Sequence, residues 1–264
     1  MKIATFNVNS LRARLPNVLD WLRDASPDVA LLQEIKCTTA EFPRLEIEAL
    51  GYHTEALGQK SYNGVAILSK TKFKVQHHAL PGNGGDEQAR YLEAVIEVAD
   101  GARWKHVRVA TIYLPNGNPV DSEKYPYKLA WMEHLKRHAA ALLKLEQPTV
   151  LAGDYNVIPT DNDVYDPVAW AEDALARPET RAKFREILNL GYTDAFRYLH
   201  PDGHRYTFWD YKAGRWQRDE GLRIDHLLLS PQAADCLEAC EIDRVPRGRE
   251  KPSDHTPIWC ELRL

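Results

Sequence analysis

Val150-Leu151-Ala152-Gly153-Asp154 is a short apolar run that ends on a carboxylate. A strand buried on both faces reads as a continuous run of this kind rather than as an alternation. Val29-Ala30-Leu31-Leu32-Gln33-Glu34 repeats the pattern, so two acids stand where buried strands emerge. Further β-rich runs recur at Lys2–Phe6, Asp28–Leu32, Val65–Ser69, Tyr91–Val98, Val107–Leu114, Thr149–Ala152, Ile224–Ser230 and Pro257–Leu262. Helices are predicted over Leu15–Ala25, Glu41–Leu50, Tyr125–Leu145 and Pro178–Leu188. The third repeats Leu129, Met132, Leu135, Ala139 and Leu142 at helical spacing. Many strands interleaved with fewer helices describe a sheet-rich α/β chain. Turn residues such as Asn63-Gly64 and Pro81–Gly85 are scattered rather than gathered at a boundary, so one domain over 1–264 is expected.

The composition narrows the class. With 44% hydrophobic and 27% charged residues the chain can bury a large core. A formal net charge of −4 argues against a generally basic coat for nucleic acid and leaves room for a local basic face. Cys37, Cys236, Cys240 and Cys260 include no CxxC pair, which disfavours a zinc knuckle and fits reduced thiols. No run approaches the ~18 apolar residues of a membrane span, and Met1–Ser10 has no signal core. A cytoplasmic protein with no membrane partner is expected.

More acids and amides gather near strand ends. Asp225 opens the run at Ile224–Ser230, Asp254-His255 precedes Pro257-Ile258-Trp259, and Asn7 and Asn9 follow the first strand. Taken singly, such an acid more often forms a turn or caps a helix. Five together suggest a cleft in which carboxylates repel unless a cation intervenes, and oxygen ligands suit Mg2+ or Mn2+. Asp154 and Asn156, at i and i+2, form a plausible water-activating pair, and an acid such as Asp225 beside His255 can hold that ring in one tautomer. Tyr113 precedes Pro115-Asn116-Gly117 and can present its phenol at the same edge, although packing explains it equally well.

The ordered set resembles the exonuclease III family of abasic-site endonucleases, within the endonuclease/exonuclease/phosphatase superfamily. The matching strings are Phe6-Asn7-Val8-Asn9, Leu32-Gln33-Glu34-Ile35-Lys36, Asn63-Gly64-Val65-Ala66-Ile67, Tyr113-Leu114-Pro115-Asn116-Gly117, Gly153-Asp154-Tyr155-Asn156, Gly221-Leu222-Arg223-Ile224-Asp225 and Ser253-Asp254-His255. The resemblance implies a DNase I-like four-layer sandwich, two β-sheets face to face with helices outside, and a site at one end. It makes Glu34 the main metal ligand, with Asn7 and Asp254 in or near the coordination shell and Asp154, Asn156 and His255 bordering it. Asp154, oriented by Asn156, would position or activate the attacking water. His255, paired with Asp225, would bind the scissile phosphate, with Tyr113 and Asn116 touching phosphate too. Asn9 stands where some eukaryotic relatives carry aspartate, which implies one fewer charge and a single, loosely held cation. Thr160–Pro178, rich in Asp, Pro and Ala, carries none of these motifs.

The superfamily also acts on inositol phosphates and lipids, so the substrate must be read elsewhere. Arg205–Ile224 interleaves Tyr206, Phe208, Trp209, Tyr211 and Trp216 with Arg205, Lys212, Arg215, Arg218 and Arg223, a mixture suited to a displaced nucleotide on a phosphate backbone. By resemblance, Phe208, Leu222 and Ile224 line a pocket for a base-free sugar, supported by Trp209. Arg12, Arg14, Lys36, Arg90, Lys124, Lys128, Arg244, Arg247, Arg249 and Lys251 are candidate phosphate grips. The expectation is hydrolysis of the phosphodiester 5′ to abasic sites in duplex DNA, with 3′→5′ exonuclease and 3′-phosphodiesterase activity, by a monomer. The alternatives are a phosphoesterase for small molecules or lipids, and a non-catalytic RNA- or protein-binding relative.

Overall fold

A computed structural model describes residues 1–98 and 101–264. Twelve strands run in chain order: β1 Lys2–Asn7, β2 Val29–Gln33, β3 His53–Leu57, β4 Val65–Ser69, β5 Phe73–His77, β6 Tyr91–Glu97, β7 His106–Tyr113, β8 Thr149–Asp154, β9 Thr193–Asp194, β10 Asp225–Leu229, β11 Leu237–Ile242 and β12 Ile258–Leu262. The helices are α1 Leu15–Ala25, α2 Arg44–Glu48, α3 Lys124–Leu143, α4 Pro167–Trp170, α5 Pro178–Asn189, α6 Ala195–Leu199 and α7 Pro231–Ala234. The strands form two six-stranded sheets, ordered β11-β12-β1-β2-β4-β3 and β5-β6-β7-β8-β10-β9.

Each sheet has one parallel pair, β1 with β2 and β7 with β8, and its other pairings are antiparallel. Ile3, Leu31, Ile67, Val109, Val150 and Leu227 point between the sheets into a shared core. Their neighbours Ala4, Phe6 and Leu32 point outward against Trp21 and Leu22 of α1. Ile112 and Leu151 face Trp131, Leu135 and Phe184 of α3 and α5. Central strands thus bury both faces, the reason they read as uninterrupted apolar runs. The result is the expected four-layer sandwich.

The predicted helix over Glu41–Leu50 is shorter in the structure. Thr38 and Glu41 close a capping box around a single 3-10 turn at Thr39–Glu41. Pro43 then disfavours the helical conformation for Phe42, which is extended at φ −61 and ψ 129, so the helix restarts only at Arg44.

One polar contact pins the sheets together. Gln33 of β2 donates through Nε2 to Thr111 Oγ1 of β7 at 2.9 Å and to Thr5 Oγ1 at 2.9 Å, while Thr111 donates to the Leu32 carbonyl at 3.1 Å. Gly153 is fixed by a close approach: at φ 155, an added Cβ would lie 1.9 Å from the Ile112 carbonyl oxygen across β7 and β8. Gly153→Ala is therefore expected to cost about 3 kcal/mol or more, beyond ordinary overpacking. Chemical denaturation checks this, and a loss below about 1 kcal/mol would refute it.

Candidate active site

The strand directions assemble the site. β1, β2, β7 and β8 all finish at one end of the sandwich, where they deliver Asn7, Glu34, Tyr113 and Asp154. β10 runs antiparallel to β8 with Asp225 opposite Asp154, so Asp225 enters the same end. The segment before β12 brings Asp254 and His255 there. Residues separated by nearly the whole chain therefore meet in a cavity of about 260 Å³, whose walls include Glu34, Tyr113, Asp154, Asp254 and His255.

Asn7 is fully buried and bridges the two sheets. Its Nδ2 donates to Glu34 Oε1 at 2.8 Å and to Asp154 Oδ2 at 2.9 Å, while its Oδ1 accepts from the Asn9 backbone at 3.0 Å. The amide nitrogen, rather than the oxygen, thus faces the acids. Asp154 Oδ1 accepts the Asn156 backbone N–H at 2.9 Å. Asn156 adopts φ 48, and this left-handed turn, not the alternation of an extended strand, keeps it beside Asp154. Its side chain donates to the Leu114 carbonyl at 2.9 Å and accepts from Asn116 at 3.0 Å, tying those two loops together.

His255 Nδ1 meets Asp225 Oδ2 at 2.8 Å, and its Nε2 lies 3.7 Å from Asp154 Oδ2. Burial alone would lower the imidazole, but the Asp225 and Asp154 carboxylates outweigh it and hold the ring cationic. Asp154 is pushed the opposite way, above the usual carboxylate range, chiefly by burial. The nearby charges of Asp225 and Glu34 add to this, while His255 opposes it. Burial also raises Glu34, but the Lys36 ammonium at 2.8 Å and the Asn7 amide overcome it and leave the carboxylate ionised. Tyr113 stays a phenol because burial and the Glu34 and Asp154 charges raise it far above the usual tyrosine range.

Glu34, Asp154 and His255 offer ligand atoms within 4.8 Å of one another. Two carboxylates already in mutual repulsion, with a buried Asp225 Oδ1 that lacks a hydrogen-bond partner, suit a divalent cation. Asp254 borders this cluster, with its Oδ1 held by Asn9 Nδ2 at 2.9 Å. Asn9 also accepts from Lys36 Nζ at 2.6 Å and so links Glu34's partner to Asp254.

Phe208, Leu222 and Ile224 form an apolar wall of the cavity. Phe208 bridges both Leu222 and His255 through the backbone, and its ring lies 5.0 Å from the imidazole. Trp209 is buried behind this wall, donating to Asp219 at 3.0 Å. Arg90 stacks over Tyr113 at 4.8 Å. A region that carried no motif also contributes: Trp170, Asp173 and Leu175 line the cavity, Trp170 and Leu175 in the same apolar cluster as Leu222 and Ile224, with Asn118 gripping both Asp173 oxygens at 3.1 Å.

Two of the expected phosphate grips lie elsewhere. Arg247 is buried and donates to the Trp209 carbonyl at 3.0 Å. Lys128 is wholly buried, and its Nζ donates to the backbone carbonyls of Asn116 at 3.0 Å and Asn156 at 2.5 Å. It therefore holds two site loops from below rather than meeting DNA. Its spacing of four and seven residues from Met132 and Leu135 places it on the apolar stripe of α3, a signal present in the sequence.

Burial lowers Lys128 to about 7 against the pull of Asp154 and Asp173. The unfolded chain keeps that proton up to a pH of ~10.4, so the contribution of Lys128 to stability rises with pH between about 7 and 10. Lys128→Met should lack this rise, lose about 2 kcal/mol through stranded carbonyls, and turn over about tenfold more slowly. Melting curves across pH, with steady-state rates, check each part. A wild-type slope retained by the variant would remove the assignment.

The sequence matches the Endonuclease/Exonuclease/phosphatase family over residues 4–255. It is 34% identical to exodeoxyribonuclease III of Haemophilus influenzae over 271 aligned positions that cover 100% of both chains. Among solved structures, the 3′ phosphatase NExo from Neisseria, bound to a product DNA hairpin, is similar at 40% identity and TM-score 0.93, covering 100% of both chains. An AP endonuclease from Archaeoglobus fulgidus is similar at 37% identity and TM-score 0.92, again over 100% of both. With this family match, these identities and the sandwich that the motifs imply, the chain belongs to the exonuclease III branch of the endonuclease/exonuclease/phosphatase family, hydrolases of phosphodiester bonds.

Proposed function

We propose that this protein is a DNA-repair nuclease that hydrolyses the phosphodiester 5′ to abasic sites in duplex DNA, with 3′→5′ exonuclease and 3′-end-cleaning activity. The observation that carries the reading is the apolar wall of Phe208, Leu222 and Ile224 set directly against the acid and imidazole cluster. Such a slot accepts a sugar without its base and gives an intact base no polar partner. The relative named as a 3′ phosphatase with product DNA supports action at 3′ ends.

The family is metal-dependent, and the carboxylates of Glu34 and Asp154 would hold the ion, with Asn7, Asn156 and Asp254 around them and the cationic His255 left free to meet the substrate. Mg2+ is the favoured ion and Mn2+ the substitute, given the carboxylate oxygens. When bound, the cation supplies Lewis-acid charge to the phosphoryl oxygens. Asp154, whose burial makes it a stronger base than an ordinary carboxylate, takes the proton of the attacking water. His255, held cationic by Asp225, cannot take that proton and instead donates through Nε2 to a phosphate oxygen. The protonated Tyr113 phenol and the Asn116 amide donate to the same group. Lys36, paired with Glu34, and Arg90, stacked over Tyr113, would contact the DNA backbone beside the cleft. One domain over 1–264 acts as a monomer in this reading, in the cytoplasm, consistent with four free, buried cysteines and with no helix among the described residues long and apolar enough to cross a membrane.

The test is incision of a labelled duplex carrying one abasic-site analogue, beside an undamaged duplex, with Mg2+, with Mn2+ and with a chelator. Cutting at the lesion that stops with the chelator is expected, and Phe208→Ala should narrow the preference for the lesion. Folded protein that cuts neither duplex, yet hydrolyses soluble phosphoesters, would replace this function with a small-molecule phosphoesterase.

A further inference from the structure

Outside the cleft, on the outer face of the second sheet, three side chains from three elements converge. Glu93 of β6 is fully buried, His138 projects from α3, and His77 closes edge strand β5. Their ligand atoms lie within 4.8 Å of one another. We propose that His77, Glu93 and His138 form a second metal site, built for Zn2+ or a similar late first-row divalent ion.

Three independent features support it. First, the β5–β6 ladder is irregular at this point. Val75 pairs with Ala94, and His77 rather than Gln76 pairs with Glu93. Bulges of this kind re-aim a side chain, and directly opposed residues share a face, so the extra residue brings His77 onto the face of Glu93. Second, the carboxylate is already oriented. Arg108 pairs with Glu93 Oε1, while Tyr91 donates to Oε2 at 2.6 Å. A ligating carboxylate is commonly held by outer partners in this way. The Oε2 atom also meets His138 Nε2 at 2.7 Å, and the His77 and His138 rings stand at 90° with centroids 5.5 Å apart. Third, two imidazoles and one carboxylate are the ligands that zinc accepts and Mg2+ does not favour. His77 is exposed, so an ion can enter and solvent can complete its shell. On binding, the His138 ring would take the tautomer with its proton on Nδ1, which leaves the Nε2 lone pair for the metal. The ion would fasten edge strand β5 to α3, a clip with no part in phosphodiester cleavage.

Metal-stripped protein titrated with Zn2+ should take up one more equivalent than His77→Ala protein, and Zn2+ should raise the melting temperature of the former only. Co2+ should give a visible d–d band that His77→Ala loses and Glu34→Gln keeps, which separates this site from the cleft. Mg2+-dependent cleavage should be unchanged in His77→Ala, whose side chain is exposed and lies outside the cleft. His138→Gln, which keeps the hydrogen bond to Glu93, should lose the same equivalent. Equal Zn2+ uptake by wild-type and His77→Ala protein, or a wild-type protein whose whole uptake vanishes in Glu34→Gln, would overturn the site.

Discussion

Asp154→Asn protein is expected to fold, to melt no lower than its parent in metal-free buffer near pH ~8, and to cut DNA about a thousandfold more slowly. The two halves of this result have one cause. Asp154 is buried among Glu34 and Asp225, and its pKa lies above that of an unfolded aspartate. A group with a raised carboxyl pKa binds its proton more tightly when folded, so its contribution to stability falls as pH rises through that window. At pH ~8 the charge destabilises the fold, and the amide removes it. The same substitution removes the base, a loss worth about 10²–10⁴ in rate. The Asn156 N–H keeps an acceptor, whereas the Asn7 amide faces either an oxygen or a competing amine. Thermal melts beside single-turnover rates check both halves. A variant with near-parental turnover would remove Asp154 from the chemistry, and one that melts far lower would show that the carboxylate stabilises the end of the sandwich instead.

Glu34→Gln should behave differently, because the charge it removes is already paired. Lys36 lies 2.8 Å from Glu34, and the Asn7 amide donates to its other oxygen, so the variant leaves an ammonium without its counter-ion. The expected outcome is a rise of at least about a hundredfold in the Mg2+ concentration needed for half-maximal activity, beyond what losing an outer-shell partner costs. Saturating Mg2+ should restore part of the rate, which it cannot do for Asp154→Asn. Activity measured across Mg2+ concentrations, on duplex with one abasic analogue, separates the two. An unchanged Mg2+ midpoint would mean that Glu34 holds Lys36 and Asn7 in place without touching the ion.

The eight predicted strands are the interior strands of the two sheets, and the four that the sequence hid, β3, β5, β9 and β11, are their edges. Interior strands bury most of both faces and are apolar over most of their length, Glu93, Arg108 and Glu261 being among the exceptions. Of the edge strands, His53–Leu57 alternates buried with exposed or half-exposed positions and Leu237–Ile242 buries only Cys240, and both carry charges that discourage pairing with other chains. The acids of the site were legible because a carboxylate that ends a buried strand is conspicuous. Their convergence was not, since it depends on two parallel pairs ending at the same end of facing sheets. Lys128 was misread because a lysine is normally solvated, and only its place on the stripe of α3 marks it as buried. Trp170, Asp173 and Leu175 escaped because they lie on short turns and a four-residue helix, which leave no periodic trace.

The Gln33 pin has a mechanical consequence. Asn7, Glu34, Asp254 and His255 ride on one sheet, and Tyr113, Asp154 and Asp225 on the other, so the reactive spacing is the gap between two plates. Gln33 and Thr111, one step behind that gap, resist sideways slip as a dowel does between two boards. A core substitution that lets the plates slide by a fraction of an ångström would part imidazole from carboxylate while every strand stayed paired. Loss of cutting on warming should therefore precede loss of the sandwich, and the interval between the two temperatures would gauge how firmly the dowel holds.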